Sequence, residues 1–344
     1  MTLRRPLRTL AALATVGLTT AAGSSAHAAA APRGTAPPLA SVTGLDAAGR
    51  QRLSALHWRS FRASAGAATI RVSPAYGDSN GIASRWSAYF DSLVHGSELA
   101  ALNAYVAPLA EVQQICGGAD VLGCYGDNHL VIPDQLAGPV AATSVATHEY
   151  GHHVANNRVN APWRAIDWGT KRWATAEHVC ERVAARTAFP GDEGDAYMLN
   201  PGEAFAESYR LLNETSAGLP LTWPIVDPSF LPDAAALQAL REDVLNPWTG
   251  ATVTTRRITL SRAARTWTMR VDTPLDGLVH VQVKPGSDDV ALLAPDTRAL
   301  LAQGSWTSSG SKAADFTVCG RRSVVLRVTR HSAARRFTLQ LSAP

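Results

Sequence analysis

Apolar positions fall at helical spacing through the first two-thirds of the chain and alternate with polar ones in the last third. "LDAAGRQRLSALHWRSF" (45–61) predicts a helix, and so does "SRWSAYFDSLV", with Trp86, Tyr89, Phe90 and Leu93 on one side. "LNAYVAP" alternates like a strand and stops at Pro108. "HLVIP" is a second short strand, and a proline at its end suits an edge strand. A helix then carries "SVATHEYGHHVANN", capped by Thr143 or Ser144, with Val145 and Val154 among its apolar positions. "NAPWRAIDWGTKRW" predicts an ordered, aromatic-rich loop, and "AEHVCERVAARTAF" a helix. "FPGDEGDAYMLNPGE" is a loop that ends at a strong helix start. There Asn200 suits the N-cap, Pro201 the first helical position and Glu203 the first turn. That helix continues through "AFAESYRLLN", and a last one, "DAAALQALREDVL", precedes Pro247.

Beyond Gly250 the period becomes two. Trp267, Met269 and Val271 alternate with polar residues, as do Val279, Val281 and Val283, then Val324, Leu326 and Val328, then Phe337, Leu339 and Leu341. Short alternating strands between turns predict a small all-β sandwich over 250–344. The expected class is α+β, with a mixed domain at 45–249 ahead of that sandwich.

The first 28 residues stand apart. Arg4, Arg5 and Arg8 precede a short apolar run, and Ala26-His27-Ala28 offers small residues for cleavage, so 1–28 is expected to be a signal peptide of a secreted protein. Its run falls short of the roughly 20 residues of a membrane span, and no later stretch is apolar enough to be one. Residues 29–44, rich in Ala, Pro and Gly, are expected to be a linker or short pro-segment. Export makes disulfides the natural reading of the four cysteines. Cys116 and Cys124 close a small loop, "CGGADVLGC", which leaves Cys180 and Cys319 for each other.

The formal charge of +4 divides unevenly. Residues 251–344 carry 14 Lys+Arg against 6 Asp+Glu, and 29–250 carry 15 against 22. The whole-chain value gives no reason to expect nucleic acid as a partner. The basic C-terminal part would either hold an anionic cell-surface polymer or dock on the acidic part before it.

The chemistry lies in the helix at His148. Residues i and i+4 share a helix face, so His148 and His152 can address one metal ion, with Glu149 beside the ion and not on it. A zinc hydrolase needs two neutral imidazoles, a water acidified to about pKa 7 and a carboxylate to take its proton. A third ligand must come from farther along. A third histidine of the metzincin pattern is absent, since Ala155 and Arg158 stand at the positions that pattern requires, and Lys171 stands where several gluzincins have a glutamate. "NPGEAFAESY" offers Glu203 and Glu207 one turn apart. Asn200-x-x-Glu203 also resembles a capping box, which does not explain Glu207. A ligand, Glu203, with a carboxylate that orients a ligating histidine, Glu207, explains both. Asp167 is the rival ligand.

"HEYGHHV" followed by "PGEAFAESY" resembles the secreted bacterial zinc metallopeptidases of the gluzincin type, and the E-x-x-A-E helix is similar to that of lethal-factor-like zincins. The resemblance covers roughly 84–215. It implies a zincin-like catalytic domain with one catalytic Zn2+ held by His148, His152 and Glu203. It also implies Glu207 behind them, Tyr197 as a helper for the oxyanion, and "CYGDNHLVIPD" as the edge strand along which a peptide lies. The C-terminal region resembles the pre-peptidase C-terminal type of β-sandwich. The expectation is a monomeric, secreted peptidase acting on protein or peptide substrates, in which zinc and Glu149 activate a water. The alternatives are an envelope or cell-surface binding protein with a structural or vestigial zinc, or a zinc hydrolase acting on a non-peptide amide. His153 is expected to stand behind the site or in solvent. His178 is a weaker candidate for the cleft, and Trp163, Trp168 and Trp173 are expected to form core and cleft wall.

Overall fold

The computed structural model describes residues 44–344 except 221, 224, 262, 287 and 332–335. The expected signal, and the expected linker up to residue 43, lie outside the described residues. The first part is built in chain order from α1 (Ala47–Ala55), β1 (Arg59–Arg62), β2 (Thr69–Val72), α2 (Ser79–Ser92), β3 (Asn103–Ala107), α3 (Leu109–Cys116), β4 (Cys124–Gly126), β5 (His129–Pro133) and α4 (Ala142–Asn156). There follow α5 (Ala165–Trp168), α6 (Lys171–Ala176), α7 (Val179–Ala184), α8 (Pro201–Ser216) and α9 (Ala234–Leu245). The five strands form one sheet in the order β1-β2-β3-β5-β4, with β2-β3 and β3-β5 parallel and the outer pairs antiparallel.

Strand alternation sorts the core into two layers. Ala104, Val106, Leu130 and Ile132 face a cluster shared with α2, α4 and α8, while Tyr105, Ala107 and Val131 face one shared with α1 and α3. Asn200 caps α8 by accepting the Gly202 N–H, and Asp233 caps α9 in the same manner.

Several boundaries differ from the sequence reading. The helix expected over 45–61 stops at Ala55, because Arg59–Arg62 pairs with β2 as an exposed strand that has no apolar alternation. The helix α3 fills a stretch for which no element was expected and ends at the first residue of the cysteine loop. No side chain caps α4. Ser144 donates instead to Glu214, and the Thr143 carbonyl accepts from Tyr89 and Thr147. The strand β5 is interior and not an edge. Pro133 is tolerated there because β4 reaches only as far as Val131, and β4 itself is the edge. The aromatic loop contains α5 and the start of α6. The helix expected over 176–189 shrinks to α7, because His178 and Arg186 adopt left-handed φ values of 55° and 59°.

Among its described residues the second part holds nine strands: β6 (Thr252–Thr259), β7 (Thr266–Asp272), β8 (Gly277–Lys284), β9 (Asp289–Leu293), β10 (Leu300–Gln303), β11 (Ser305–Trp306), β12 (Lys312–Val318), β13 (Ser323–Thr329) and β14 (Arg336–Ala343). They form two antiparallel sheets, β10-β9-β13-β7 and β11-β12-β8-β14-β6. Both sheets contribute to one buried cluster, Val324, Leu326 and Val328 from one, Val279, Val281, Val283, Leu339 and Leu341 from the other. No helix among the described residues is long and apolar enough to cross a membrane.

The two parts meet at α6 and α7. Cys180 of α7 is bonded to Cys319 just after β12, and Cys116 is bonded to Cys124. The Asp276 N–H donates to Thr175, and Asp276 accepts from Gly320 N–H and Arg322. Lys171 is buried at this junction, donating to Ala161 O at 2.8 Å and lying over the Trp248 ring. Burial pushes its ammonium down to about 8, against the pull of Asp276 and Asp243.

Two predictions follow from this junction. The Cys180–Cys319 bridge spans 139 residues, so the double serine variant should lose on the order of 4 kcal/mol of unfolding free energy in urea titration, as the chain-entropy account requires. A loss under about 1 kcal/mol would show that non-covalent contacts already fix the junction. Lys171 has a folded pKa below its unfolded one, so the unfolded chain binds more protons between about pH 8 and 10.4. Wild-type stability should therefore rise relative to Lys171→Met across that window, by up to about 3 kcal/mol. Parallel pH profiles of the two proteins would contradict the assignment.

Candidate metal centre

Helices α4 and α8 cross at Gly151. A Cβ built there would stand 2.7 Å from Ala206 Cα, so a residue without a side chain is what lets the two backbones approach this closely. The approach faces His148 and His152 of one helix with Glu203 and Glu207 of the other. His148 Nε2 lies 3.2 Å from Glu203 Oε2, and His152 Nε2 lies 3.4 Å from Glu203 Oε1. One ligand atom from each of the three residues falls within 4.8 Å of the others. Asp167 is not in this group. It lies in α5, paired with Arg164 at 3.4 Å.

The group fits a metal ion on three grounds. Two imidazoles and a carboxylate are a donor set for zinc and related cations. Tetrahedral bonds of about 2.1 Å would separate ligand atoms by about 3.4 Å, close to both spacings. Finally, His152 Nε2 is buried without a hydrogen-bond partner among the described residues, and a cation would satisfy it.

Behind the cluster runs a chain of buried charges. Glu207 Oε2 is 3.1 Å from His148 Nδ1, and Arg210 clamps Glu207 through two bonds of 2.6 and 3.0 Å. Arg210 also pairs with Glu214, which accepts from Ser144 in the first turn of α4. Burial alone would favour a neutral His148 ring, but the two carboxylates on its nitrogens outweigh that and push it up to about 10. Burial opposes ionisation of Glu203, yet the His152 and His148 charges hold its carboxyl far below the usual range.

Glu149 is fully buried, and neither carboxylate oxygen has a hydrogen-bond partner among the described residues. Burial raises its carboxyl to about 8; the charge on His148 opposes this and that on Glu203 adds to it. The Tyr197 hydroxyl donates to Glu203 Oε2 at 2.7 Å, just ahead of α8. A cleft of about 190 Å3 opens onto His152 and Glu203, bordered by Tyr125 and Gly126 of β4 on one side and by Asp167 and Glu193 on the other.

His153 is buried, not solvated. Its Nε2–H donates to Glu98 O at 2.8 Å, so its Nδ1 accepts from Tyr125, 3.2 Å away. Burial lowers its pKa to about 4, against that carbonyl bond. His178 is exposed, paired with Glu181, and does not line the cleft. Trp173 is core against Phe205, while Trp163 and Trp168 stack at 4.5 Å. The sequence reading passed over Arg210 and Glu214, although Glu207, Arg210 and Glu214 sit at i, i+3 and i+7, the spacing of side chains on one helix face.

No model of a known protein family matches the chain, and no curated protein matches it.

Metal analysis of purified protein should find close to one ion per chain. His148→Ala, His152→Ala and Glu203→Ala should lose it, while Asp167→Ala should keep it. Glu207→Ala should weaken metal affinity by roughly 10- to 100-fold. Retention in Glu203→Ala together with loss in Asp167→Ala would reassign the third ligand.

Proposed function

We propose that the chain is a secreted, zinc-dependent peptidase of the gluzincin type, with a zincin-like catalytic part. The observation that carries this reading is Glu149, a buried carboxylate without a partner among the described residues, adjacent in sequence to His148 and near enough to His148 and Glu203 to feel their charges. A structural zinc site closes its coordination with four protein ligands, mostly Cys and His. Here three donors gather among the described residues, all four cysteines are in disulfides, and the group borders a cleft. A cell-surface binding protein would have no use for the unpaired carboxylate. The two disulfides support an extracellular destination.

His148 Nε2, His152 Nε2 and the Glu203 carboxylate would hold the ion. Zinc in that position supplies a Lewis acid to a substrate carbonyl and brings a water's ionisation close to neutral pH. Glu207 keeps the proton on His148 Nδ1, which leaves the Nε2 lone pair facing the ion, and Arg210 holds Glu207 charged and in place. Glu149 accepts the proton of the attacking water on a carboxylate oxygen and delivers it to the departing amine. The wall of α4 and β4 excludes bulk water from that carboxylate, which keeps it basic. The Tyr197 hydroxyl stands at the edge of the cluster as a donor for the oxygen that becomes negative as the carbonyl is attacked.

Glu149→Gln should retain the zinc and lose cleavage of a peptide library by roughly 10²- to 10⁴-fold, the usual contribution of general acid–base catalysis. Tyr197→Phe should lower turnover with the zinc content unchanged. Wild-type turnover in Glu149→Gln would remove the carboxylate from the mechanism.

A further inference from the structure

The β part carries a surplus of positive charge that its joint with the first part leaves unused. From its placement we infer that the edge formed by β6 and β7 is a binding surface for a flexible, phosphate-bearing linear polymer. The inference stands whether or not the metal group cleaves peptides, and adds a second, separate site to the chain.

Residues 251–344 hold 14 Lys+Arg, 12 of them Arg, and 6 Asp+Glu. Either an anionic polymer or the acidic first part could take that surplus. The first part does not take it through ion pairs: among the described residues, each ion pair of the β part stays within the β part. Asp276, at the joint, holds Arg322. Asp289 takes Lys312 and His331, and Asp315 takes His280.

The strand register gathers unpaired arginines on one side. The strand β6 is the outer strand of one sheet and β7 of the other, and residues 260–265 join them. Neighbouring side chains on a strand point to opposite faces. Arg257 stands opposite Thr338, on the outer face. Arg256 stands opposite the buried Leu339, a position that faces between the sheets, yet it is exposed. The sandwich therefore does not close over β6 at this level. From the other sheet, Trp267 and Met269 face the same interior and are only half-buried. Arg265 lies just before β7, Arg270 is exposed on β7, and Arg327 is exposed on β13 opposite Thr268.

Asp272, 3.5 Å from Arg270, is the one acidic residue on either edge strand. Arg256, Arg257, Arg265 and Arg327 make no ion pair among the described residues, and every Asp and Glu of the chain is among those residues. No carboxylate elsewhere in the chain is left to neutralise them. A guanidinium meets a phosphate through paired N–H donors, and a polymer laid along the edge can meet several at once, releasing a counterion at each. A bilayer is the poorer fit, because Val253 is the one large apolar side chain exposed on β6 or β7. Charge on an outer strand also guards it against pairing with other chains. Glutamate guards an edge as well as arginine does, so charge reversal separates that role from binding.

Fluorescently labelled poly(glycerol phosphate), titrated with the full wild-type chain at several salt concentrations, tests the inference. Anisotropy should show binding, with log affinity falling against log salt at a slope of about −2 to −3, as three or four phosphate contacts require. Arg256→Glu and Arg257→Glu should each weaken binding at least 5-fold, and Arg257→Lys less than 2-fold. Arg298→Glu makes the same change of net charge in the turn between β9 and β10, at the far edge of the sheet that ends in β7. It should change affinity less than 2-fold. Equal losses in Arg298→Glu and Arg257→Glu would overturn the inference, since net charge alone would then account for binding. Wild-type affinity in both β6 reversals would leave the arginines as guards of the edge and overturn it too. So would absence of binding by the wild-type chain, or tighter binding to duplex DNA or to phosphatidylcholine vesicles containing phosphatidylserine.

Discussion

The contact of Gly151 with Ala206 sets the distance between α4 and α8, and the rest of the site depends on that distance. Each helix alone presents polar residues that would cost several kcal/mol to bury unpaired. At this separation they satisfy one another. His148 lies between Glu203 and Glu207, Arg210 lies between Glu207 and Glu214, and Glu214 returns to Ser144 on the first helix. A wider crossing would leave buried charges without partners, so packing and electrostatics here are one constraint.

The same arrangement explains why one carboxylate is left out. Glu203 and Glu207 are held ionised by the charged groups against them. Glu149 points between α4 and β4, where no donor among the described residues reaches it. Burial without a partner is costly for stability, and it also makes a carboxylate a stronger proton acceptor. A site that keeps such a group retains it against the stability of the fold.

How much was legible in the sequence follows from the range of each interaction. His148 and His152 could be named, because i, i+4 spacing places them on one face, and the Asn200-Pro201 start offered Glu203 and Glu207 together, with Asp167 left as the rival to Glu203. The cysteine pairing could be named because only one partition suited the short loop. Boundaries set by tertiary contact could not. Arg59–Arg62 is a strand because β2 is beside it, with nothing in its own pattern to say so. The edge position belongs to β4 and not to β5, and no local signal distinguishes them. Gly151 reads as an ordinary helix glycine until Ala206 is placed against it, and Leu45 reads as the start of a helix until its N–H is found on Tyr125.

Covalent bonds pin both walls of the cleft, and each lies close to a residue with work to do. Cys124 follows Gly123 in β4 and is bonded to Cys116 at the end of α3, so the wall next to Glu149 is tied to the helix layer beneath it. Cys180 sits in α7, upstream of the segment that carries Glu193 and Tyr197 to α8, and is bonded to Cys319 of the β part. The β part thereby braces the wall that ends in Glu203, while Asp276 and Lys171 complete the joint on the neighbouring helix. A cleft whose two walls are fixed from behind keeps its width.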